Sequence, residues 1–496
     1  MRFSKFLAPI LVFSLAAPVL AKKPAVKPAV HPSRQKLEAC KVPGQDGTVD
    51  AFCGLYKVWE NRAAKSGRKI GLKVVVLPAL SPTPKPDPVF FLAGGPGQAV
   101  SPMAGFLGED PLRQDRDIVF IDQRGTGDPD RLVCTLGGHD DDLQSYFGEM
   151  FPLDAVAKCR DELSKKADLT QYTTAASVDD FDEIRAWLGY GKINLSGGSY
   201  GTRAAQVYLR RHPETVRTVV LSGVVPMDET LPISHAAGGQ RSMDLLLGWC
   251  EQDAACNGKF PGVRQELQAV LERLDKEPAT VEVKHPHTGK PATVRLSRDT
   301  IADGLRWALY NTQGSAMLPL MIHQAAAGDF ALLAQASVNA RLSAIDGITQ
   351  GLFFSVTCAE DLPFIDASTI PSRTAGSFLG DYRVRQQLAA CGIWPHAKLD
   401  RAHQEAVRSD VPMLLINGER DPVTPPDFAL RTAVHLTKAT RIVVPWGSHG
   451  GDSPCLETIQ REFIEKAGEG VDTSCVSKIE RTPFVLEAPK EEKPAG

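Results

Sequence analysis

Short apolar runs alternate with amphipathic stretches through the first half of the chain. Ile70 to Leu77 (IGLKVVVL) is rich in β-branched residues and reads as a strand. A Pro-rich connector, Ser81 to Pro88, leads to a second apolar strand, Val89 to Ala93, and Asp117 to Asp122 (DIVFID) reads as a third. Ser177 to Leu188 places Val178, Phe181, Ile184, Trp187 and Leu188 on one face, which predicts a helix. Ile193-Asn194-Leu195 is a further short strand. From Thr202 the pattern turns helical, with Ala204, Ala205, Val207, Tyr208 and Leu209, and it stops before Pro213. Val216 to Gly223 (VRTVVLSG) is again a strand. Alternation of this kind predicts a mostly parallel sheet with helices on both faces.

After about Asp228 the rhythm changes. Helical patterns dominate, at Ser242–Gly248, Val263–Lys276, Ile301–Tyr310, Leu318–Ala327 and Ala331–Leu342. One hairpin interrupts them, Thr280–Lys284 against Thr293–Leu296. The α/β rhythm returns at Val411 to Gly418 (VPMLLING) and Thr440 to Val444. The expected organisation is therefore a split α/β core, residues 53–228 and 401–485, with an inserted helical cap at 229–400. Residues 22–52 read as a leader and a disulfide-tied N-terminal segment, and the charged, Pro-rich 486–496 as a disordered tail.

The first 21 residues have the pattern of a signal peptide: Arg2 and Lys5, then an apolar run from Phe6 to Ala17, then Val19-Leu20-Ala21 at the cleavage site. No Cys follows it, so no lipoprotein anchor is expected. Periplasmic or extracellular destinations fit equally. Ten cysteines suit an exported chain. They fall into sequence-near couples, Cys40/Cys53, Cys134/Cys159, Cys250/Cys256, Cys358/Cys391 and Cys455/Cys475. Those pairs are the expected bridges, although connectivity does not follow from sequence. The competing reading, a metal site, lacks any Cys/His cluster at zinc spacing. Hydrophobic content of 43% and charged content of 23% are ordinary for a globular protein of 496 residues. A formal charge of −3 makes no electrostatic case for nucleic acid.

The candidate chemistry sits at Gly197-Gly198-Ser199-Tyr200-Gly201, a G-x-S-x-G between a strand and a helix. A nucleophilic serine needs such a turn: small neighbours let strand and helix approach, and the helix N-terminus points amides at a developing anion. A serine also needs a base, and the base an orienting acid. Asp421 follows the strand MLLING, in Gly418-Glu419-Arg420-Asp421-Pro422. His449 follows the strand RIVV, in Gly447-Ser448-His449-Gly450-Gly451. Ser, then Asp, then His, each after a strand, is the order this fold class uses. Asp410 precedes its strand and His435 sits in a helical run, so both are poorer candidates. Oxyanion donors are expected from the Tyr200 amide and from the glycine turn Gly94-Gly95-Pro96-Gly97. The same turn is no phosphate cradle, because no Gly-Lys-Ser/Thr follows.

Taken together, AGGPG (93–97), DQRGTG (122–127), SGGSYG (196–201), SVTCAED (355–361), NGERDPVTPP (417–426) and GSHGG (447–451) make the chain resemble the proline iminopeptidase and tripeptidyl aminopeptidase family of α/β-hydrolase fold serine peptidases. The resemblance spans about Cys53 to Cys475. It implies Ser199, Asp421 and His449 as the triad, and the Gly95 and Tyr200 amides as the oxyanion hole. Family members carry His before GGPG where Ala93 stands here. The donor is a backbone amide, so activity is not expected to depend on that side chain. Exported members of this type remove one residue or a short peptide from a free N-terminus.

An aminopeptidase must hold an ammonium, which carboxylates at the edge of an apolar pocket can do. Acidic cap residues serve this purpose in the family, which makes Glu360 the first candidate and Asp361 the second. A solvated acidic pair or a helix N-cap is the alternative. Asp122 and Arg124 are expected to pin loops beneath the site and not to react. The expected partners are short peptides admitted under the cap, with no metal or organic cofactor. Two rivals share these residues: an esterase or amidase of non-peptide acyl compounds, and a non-catalytic exported binding protein.

Overall fold

The computed structural model describes residues 35–139, 141–285, 287–450 and 453–488. The signal-peptide reading and the final eight residues lie outside them. The strands are β1 (Glu38–Gly44), β2 (Gly47–Trp59), β3 (Lys69–Leu77), β4 (Val89–Leu92), β5 (Ile118–Ile121), β6 (Ile193–Gly198), β7 (Val216–Ser222), β8 (Ala279–Lys284), β9 (Pro291–Leu296), β10 (Met413–Gly418) and β11 (Ala439–Val444). Nine of them form one sheet in the order β1-β2-β3-β5-β4-β6-β7-β10-β11. The pairs from β5 to β11 are parallel and those from β1 to β5 antiparallel. This is the α/β-hydrolase architecture, a mostly parallel sheet with helices packed on it.

Side-chain alternation explains why the strands read as unbroken apolar runs. On β3, Leu72, Val74 and Val76 enter one core layer, while Val75 and Leu77 enter the layer on the opposite face. On β10, Met413 and Leu415 divide from Leu414 and Ile416 in the same way. Each of these side chains is buried, and full burial is worth about 1.5–3 kcal/mol apiece.

The helices that matter here are α1 (Leu153–Ser164), α2 (Thr174–Leu188), α3 (Tyr200–Arg211), α4 (His235–Gln252), α5 (Ala254–Lys259), α6 (Val263–Lys276), α7 (Arg298–Ala308), α8 (Thr312–Ala326), α9 (Ala331–Gly347), α10 (Gln350–Glu360), α11 (Ile370–Thr374), α12 (Tyr382–Ile393), α13 (Pro426–Ala433) and α14 (Pro454–Lys466). Between β7 and β10 the chain is helical apart from the β8–β9 hairpin. Most of that segment surrounds a core of its own, which includes Leu247, Leu271, Leu305, Ile322 and Val338. Among the described residues no single helix is long and apolar enough to cross a bilayer.

Three differences from the sequence reading have physical causes. β1 and β2 form a hairpin on the sheet edge, where a leader and tied segment were expected. Few of their side chains are fully buried, so no regular apolar alternation marks the strands. Helices α1, α5 and α10 to α14 were not predicted, because burial on several sides or short length blurs the helical period. Finally, Phe484, Val485 and Leu486 pack against the cap core, and the Val485 amide donates to Ala316 O at 3.0 Å. Leu486 thus belongs to packed structure and not to a disordered tail. All five expected disulfides form: Cys40–Cys53 across the β1–β2 hairpin, Cys134–Cys159, Cys250–Cys256, Cys358–Cys391 between α10 and α12, and Cys455–Cys475.

Candidate active site

Ser199 sits between β6 and α3 with φ 54° and ψ −122°, a conformation that costs a non-glycine residue roughly 1–3 kcal/mol. The surroundings hold it there. Its amide donates to Ser222 O at 2.9 Å, and its carbonyl accepts from the Thr202 amide at 2.9 Å and the Thr202 hydroxyl at 2.6 Å. The flanking glycines are required by space. A Cβ at Gly197 would lie 2.5 Å from Gly201 O, and one at Gly201 would lie 2.2 Å from Leu92 O. Strand β4, the turn and α3 are therefore pressed backbone against backbone.

The glycine turn after β4 lies directly over this serine. A Cβ at Gly94 would stand 3.2 Å from the Ser199 Cβ. Gly95 has φ +108°, which favours glycine there. Tyr200 opens α3, so its amide has no acceptor within the helix and is free to point at an anion. The turn is also tied to the cap: the Thr349 amide donates to Gly97 O at 2.8 Å.

Asp421 and His449 follow adjacent parallel strands, β10 and β11, and they meet. The His449 Nδ1–H donates to Asp421 Oδ2 at 2.8 Å. A carboxylate can only accept here, so the proton sits on Nδ1 and Nε2 is left as the basic nitrogen. Asp421 is fully buried, and every bond it accepts fixes its orientation. The Val423 and Thr424 amides donate to Oδ1 at 2.9 and 2.8 Å, and the Thr424 hydroxyl to Oδ2 at 2.5 Å. The His449 ring also lies 3.1 Å from Thr424 Oγ1 through Nδ1 and packs edge-on against Tyr310 at 5.0 Å. A Cβ at Gly223 would lie 3.0 Å from His449 Cε1, and Ser199 is bonded to the neighbouring Ser222. Ser199 and His449 thus converge over the end of β7.

The two cap carboxylates are placed elsewhere than expected. Glu360 closes α10 and is buried; its Oε1 accepts from the Thr174 amide and its Oε2 from the Thr174 hydroxyl, both at 2.7 Å. It therefore caps α2, which is the alternative weighed for it. Burial raises its pKa, against the lowering effect of those bonds. Asp361 receives Arg203 Nη1 at 2.6 Å and the Leu231 amide at 3.0 Å, in a buried ion pair that joins α3 to the cap. Neither carboxylate stands at a pocket edge awaiting an ammonium. Their neighbourhood in sequence gave no sign of this, because both partners come from distant segments.

Asp122 and Arg124 pin loops. Asp122 accepts from the Val100 and Ser101 amides at 2.9 and 2.7 Å and from the Ser101 hydroxyl at 2.8 Å. Arg124 is fully buried and forks onto Asp180 at 2.8 and 3.0 Å. Three neighbours of the site were missed. Thr424 lay inside a quoted motif and is the natural partner of Asp421. Gln123 donates to the Tyr200 hydroxyl at 2.9 Å, which in turn meets Thr174 Oγ1 at 2.6 Å. Tyr310 comes from the cap, and no sequence signal marks it.

A family model described as the alpha/beta hydrolase fold matches residues 87–281, and one described as TAP-like protein matches residues 376–475. Serine protease Hip1 of Mycobacterium tuberculosis is 25% identical over 440 residues, covering 79% of this chain and 80% of that protein. Proline iminopeptidase of Neisseria meningitidis serogroup B is 32% identical over 164 residues, 32% of this chain and 41% of that protein. Among solved structures, proline iminopeptidase from Mycobacterium smegmatis superposes with a TM-score of 0.40 at 15% identity, covering 84% of this chain and 100% of the other.

Proposed function

We propose that this chain, which is similar to α/β-hydrolase fold serine peptidases and to TAP-like proteins, is an exported aminopeptidase that cleaves short peptides through an acyl-enzyme on Ser199. The observation that carries the mechanism is the buried Asp421–His449 hydrogen bond beside a strained serine turn. His449 Nε2 takes the proton from Ser199 Oγ as that oxygen attacks the substrate carbonyl. The Gly95 and Tyr200 amides receive the oxyanion. His449, now protonated and stabilised by Asp421, gives its proton to the leaving amine, and water then releases the acyl group by the reverse sequence.

Export is supported by the signal-peptide pattern and by five disulfides, which oxidising compartments sustain. Action at a free N-terminus is supported by the resemblance to proline iminopeptidases. With Glu360 and Asp361 both committed, the ammonium needs another acceptor.

The test is a panel of p-nitroanilides of Pro, Ala and a tripeptide, each with a free and an acetylated N-terminus, together with a simple acyl ester. Cleavage confined to the free amines is the expected result. Equal cleavage of acetylated substrates, or cleavage of the ester alone, returns the chain to the esterase or amidase reading. Failure of a serine-directed phosphonate to label Ser199 would remove the catalytic reading altogether.

A further inference from the structure

Three cap segments press on the loops that carry the candidate chemistry. Helix α4 rests on the Asp421 loop: a Cβ at Gly238 would lie 2.6 Å from Pro422 O, Arg241 Nη2 donates to Glu419 O at 2.7 Å, and the Ser242 hydroxyl donates to Arg420 O. The α9–α10 junction rests on the glycine turn, where the Thr349 amide donates to Gly97 O at 2.8 Å and a Cβ at Gly95 would lie 3.3 Å from Ile348 Cδ1. The third segment is the turn between α7 and α8, Leu309 to Asn311, and it reaches a triad side chain directly.

That turn is closed by its own hydrogen bonds. The Leu309 amide donates to Leu305 O at 3.1 Å and the Tyr310 amide to Trp307 O at 3.0 Å. Asn311 caps α8, its Oδ1 accepting from the Gly314 amide at 2.6 Å, and the Ser315 hydroxyl donates back to Ala308 O at 3.1 Å. The end of a helix leaves carbonyls without intrahelical partners. The Leu309 carbonyl is one of them, and it accepts from the Ser448 hydroxyl and from Arg420 Nη1, the latter at 3.3 Å. Ser448 and Arg420 are buried, and they immediately precede His449 and Asp421. One cap oxygen therefore ties together the two loops that supply the Asp421–His449 pair.

The Tyr310 ring adds a direct contact. Its centroid lies 5.0 Å from that of His449, with the planes at 71°. The same ring stacks on Trp307 at 4.6 Å, and its hydroxyl accepts from Arg306 Nη1 at 2.8 Å. Arg306 is buried and is held in turn by Asp303, through Nε and Nη2 at 3.2 and 3.1 Å; the Tyr382 hydroxyl donates to the same Asp303 oxygen at 2.9 Å. Tyr310 is thus braced at its ring and at its hydroxyl.

The bond from His449 Nδ1 to Asp421 fixes one atom of the imidazole. The ring plane can still tilt, and a tilt carries Nε2 away from Ser199 Oγ. Proton transfer requires those two atoms within about 2.6–3.2 Å of each other, so the tilt is felt in the rate. An aromatic ring packed on the imidazole removes this freedom.

We propose that Tyr310 is a positioning residue for the base: the α7–α8 turn, docked on the Asp421 and His449 loops through the Leu309 carbonyl, sets the plane of the His449 ring. The base is then complete only with the cap seated. The proposal rests on the reading of Ser199, Asp421 and His449 as a triad, and not on the choice between peptide and ester substrates.

The experiment uses the mature enzyme with alanine p-nitroanilide and p-nitrophenyl acetate, the kinetics being read on whichever the wild type turns over. Competent sites are counted by labelling with a serine-directed phosphonate carried to completion. A merely structural role lowers that count and the melting temperature but leaves kcat per labelled site unchanged. Tyr310→Leu removes the ring, and kcat per site should fall about thirtyfold with KM within about twofold, as for a misplaced reacting group. Tyr310→Phe keeps the ring and loses only the bond from Arg306, so it should stay within about threefold of the wild type. Ser448→Ala, a second variant that loses a single oxygen, frees the turn from the His449 loop and should lower kcat per site about fivefold. An unchanged kcat per site in both Tyr310→Leu and Ser448→Ala overturns the proposal. Equal falls in the leucine and phenylalanine variants overturn it too, by placing the effect in the Arg306 bond instead of the ring. A rise in KM alone makes Tyr310 a substrate contact and not a positioning residue. A wild type that is neither labelled nor active removes the triad reading itself, and the proposal falls with it.

Discussion

Around Ser199 the close contacts run from backbone to backbone. Gly197 and Gly201 leave no room for a Cβ, and the Ser199 amide and carbonyl are both bonded to main-chain groups. Around Arg306 in the cap the contacts run from side chain to side chain, through Asp303, Tyr310 and Tyr382. The first arrangement joins the ends of β4, β6 and β7, which lie side by side in the sheet. The second is assembled from α7 and α12, which are far apart in sequence. A reacting atom must be held within tenths of an ångström, and backbone contacts do that.

The largest break in the comparison comes from Asp421→Asn. An amide nitrogen facing His449 Nδ1 would favour the wrong tautomer, and kcat should fall by about 10⁴ with the melting temperature nearly unchanged. A fall of less than tenfold would mean that Asp421 does not orient the base. Arg203→Met acts next, at the seam between the two regions. It leaves Asp361 buried without its partner and should cost about 3–5 kcal/mol in denaturant unfolding. A loss of under 1 kcal/mol would show that α3 and the cap are not held by this pair.

Gly201→Ala tests the backbone side. Its methyl would meet the Leu92 carbonyl oxygen, which cannot rotate away, so β4 and α3 must separate. We expect a loss of about 1–3 kcal/mol and a much larger proportional loss of kcat/KM, because the oxyanion turn rides on β4. The smallest effect belongs to Glu360→Gln, which removes one acceptor at the α2 cap and should cost about 1–2 kcal/mol at neutral pH. Discrimination between free and acetylated substrates should stay as it was; its loss would return Glu360 to amine binding. Burial raises the folded-state pKa of Glu360 above its ordinary 4.5. The folded state therefore favours the protonated form, and the stability it contributes is full below 4.5 and declines as pH rises through the raised value. The Gln variant should lack that part of the pH dependence, which unfolding curves recorded from pH 4 upward would reveal.

Legibility in the sequence followed the range of the contacts. Core strands β3, β6, β7 and β10 were readable because both faces are buried and the runs are apolar. The edge hairpin β1–β2 was not, since its burial depends on what sits beside it. Asp421 and His449 could be named from their place after strands, because the fold brings loops at the same ends of parallel strands together. Glu360 and Asp361 could be named as acids near a disulfide, but not given a role, because Thr174 and Arg203 lie more than a hundred residues away.

By itself, then, the sequence determined the core strands of the sheet, the place of the serine turn, the chain order of the triad residues and the sequence-near cysteine couples. Each of these rests on local periodicity, glycine sterics or proximity along the chain. The tertiary structure alone decided which carboxylates are consumed as caps and ion pairs, and that Tyr310 rests on His449. Charge balance in a buried site is a property of the side chains that folding gathers there, and no single segment contains it.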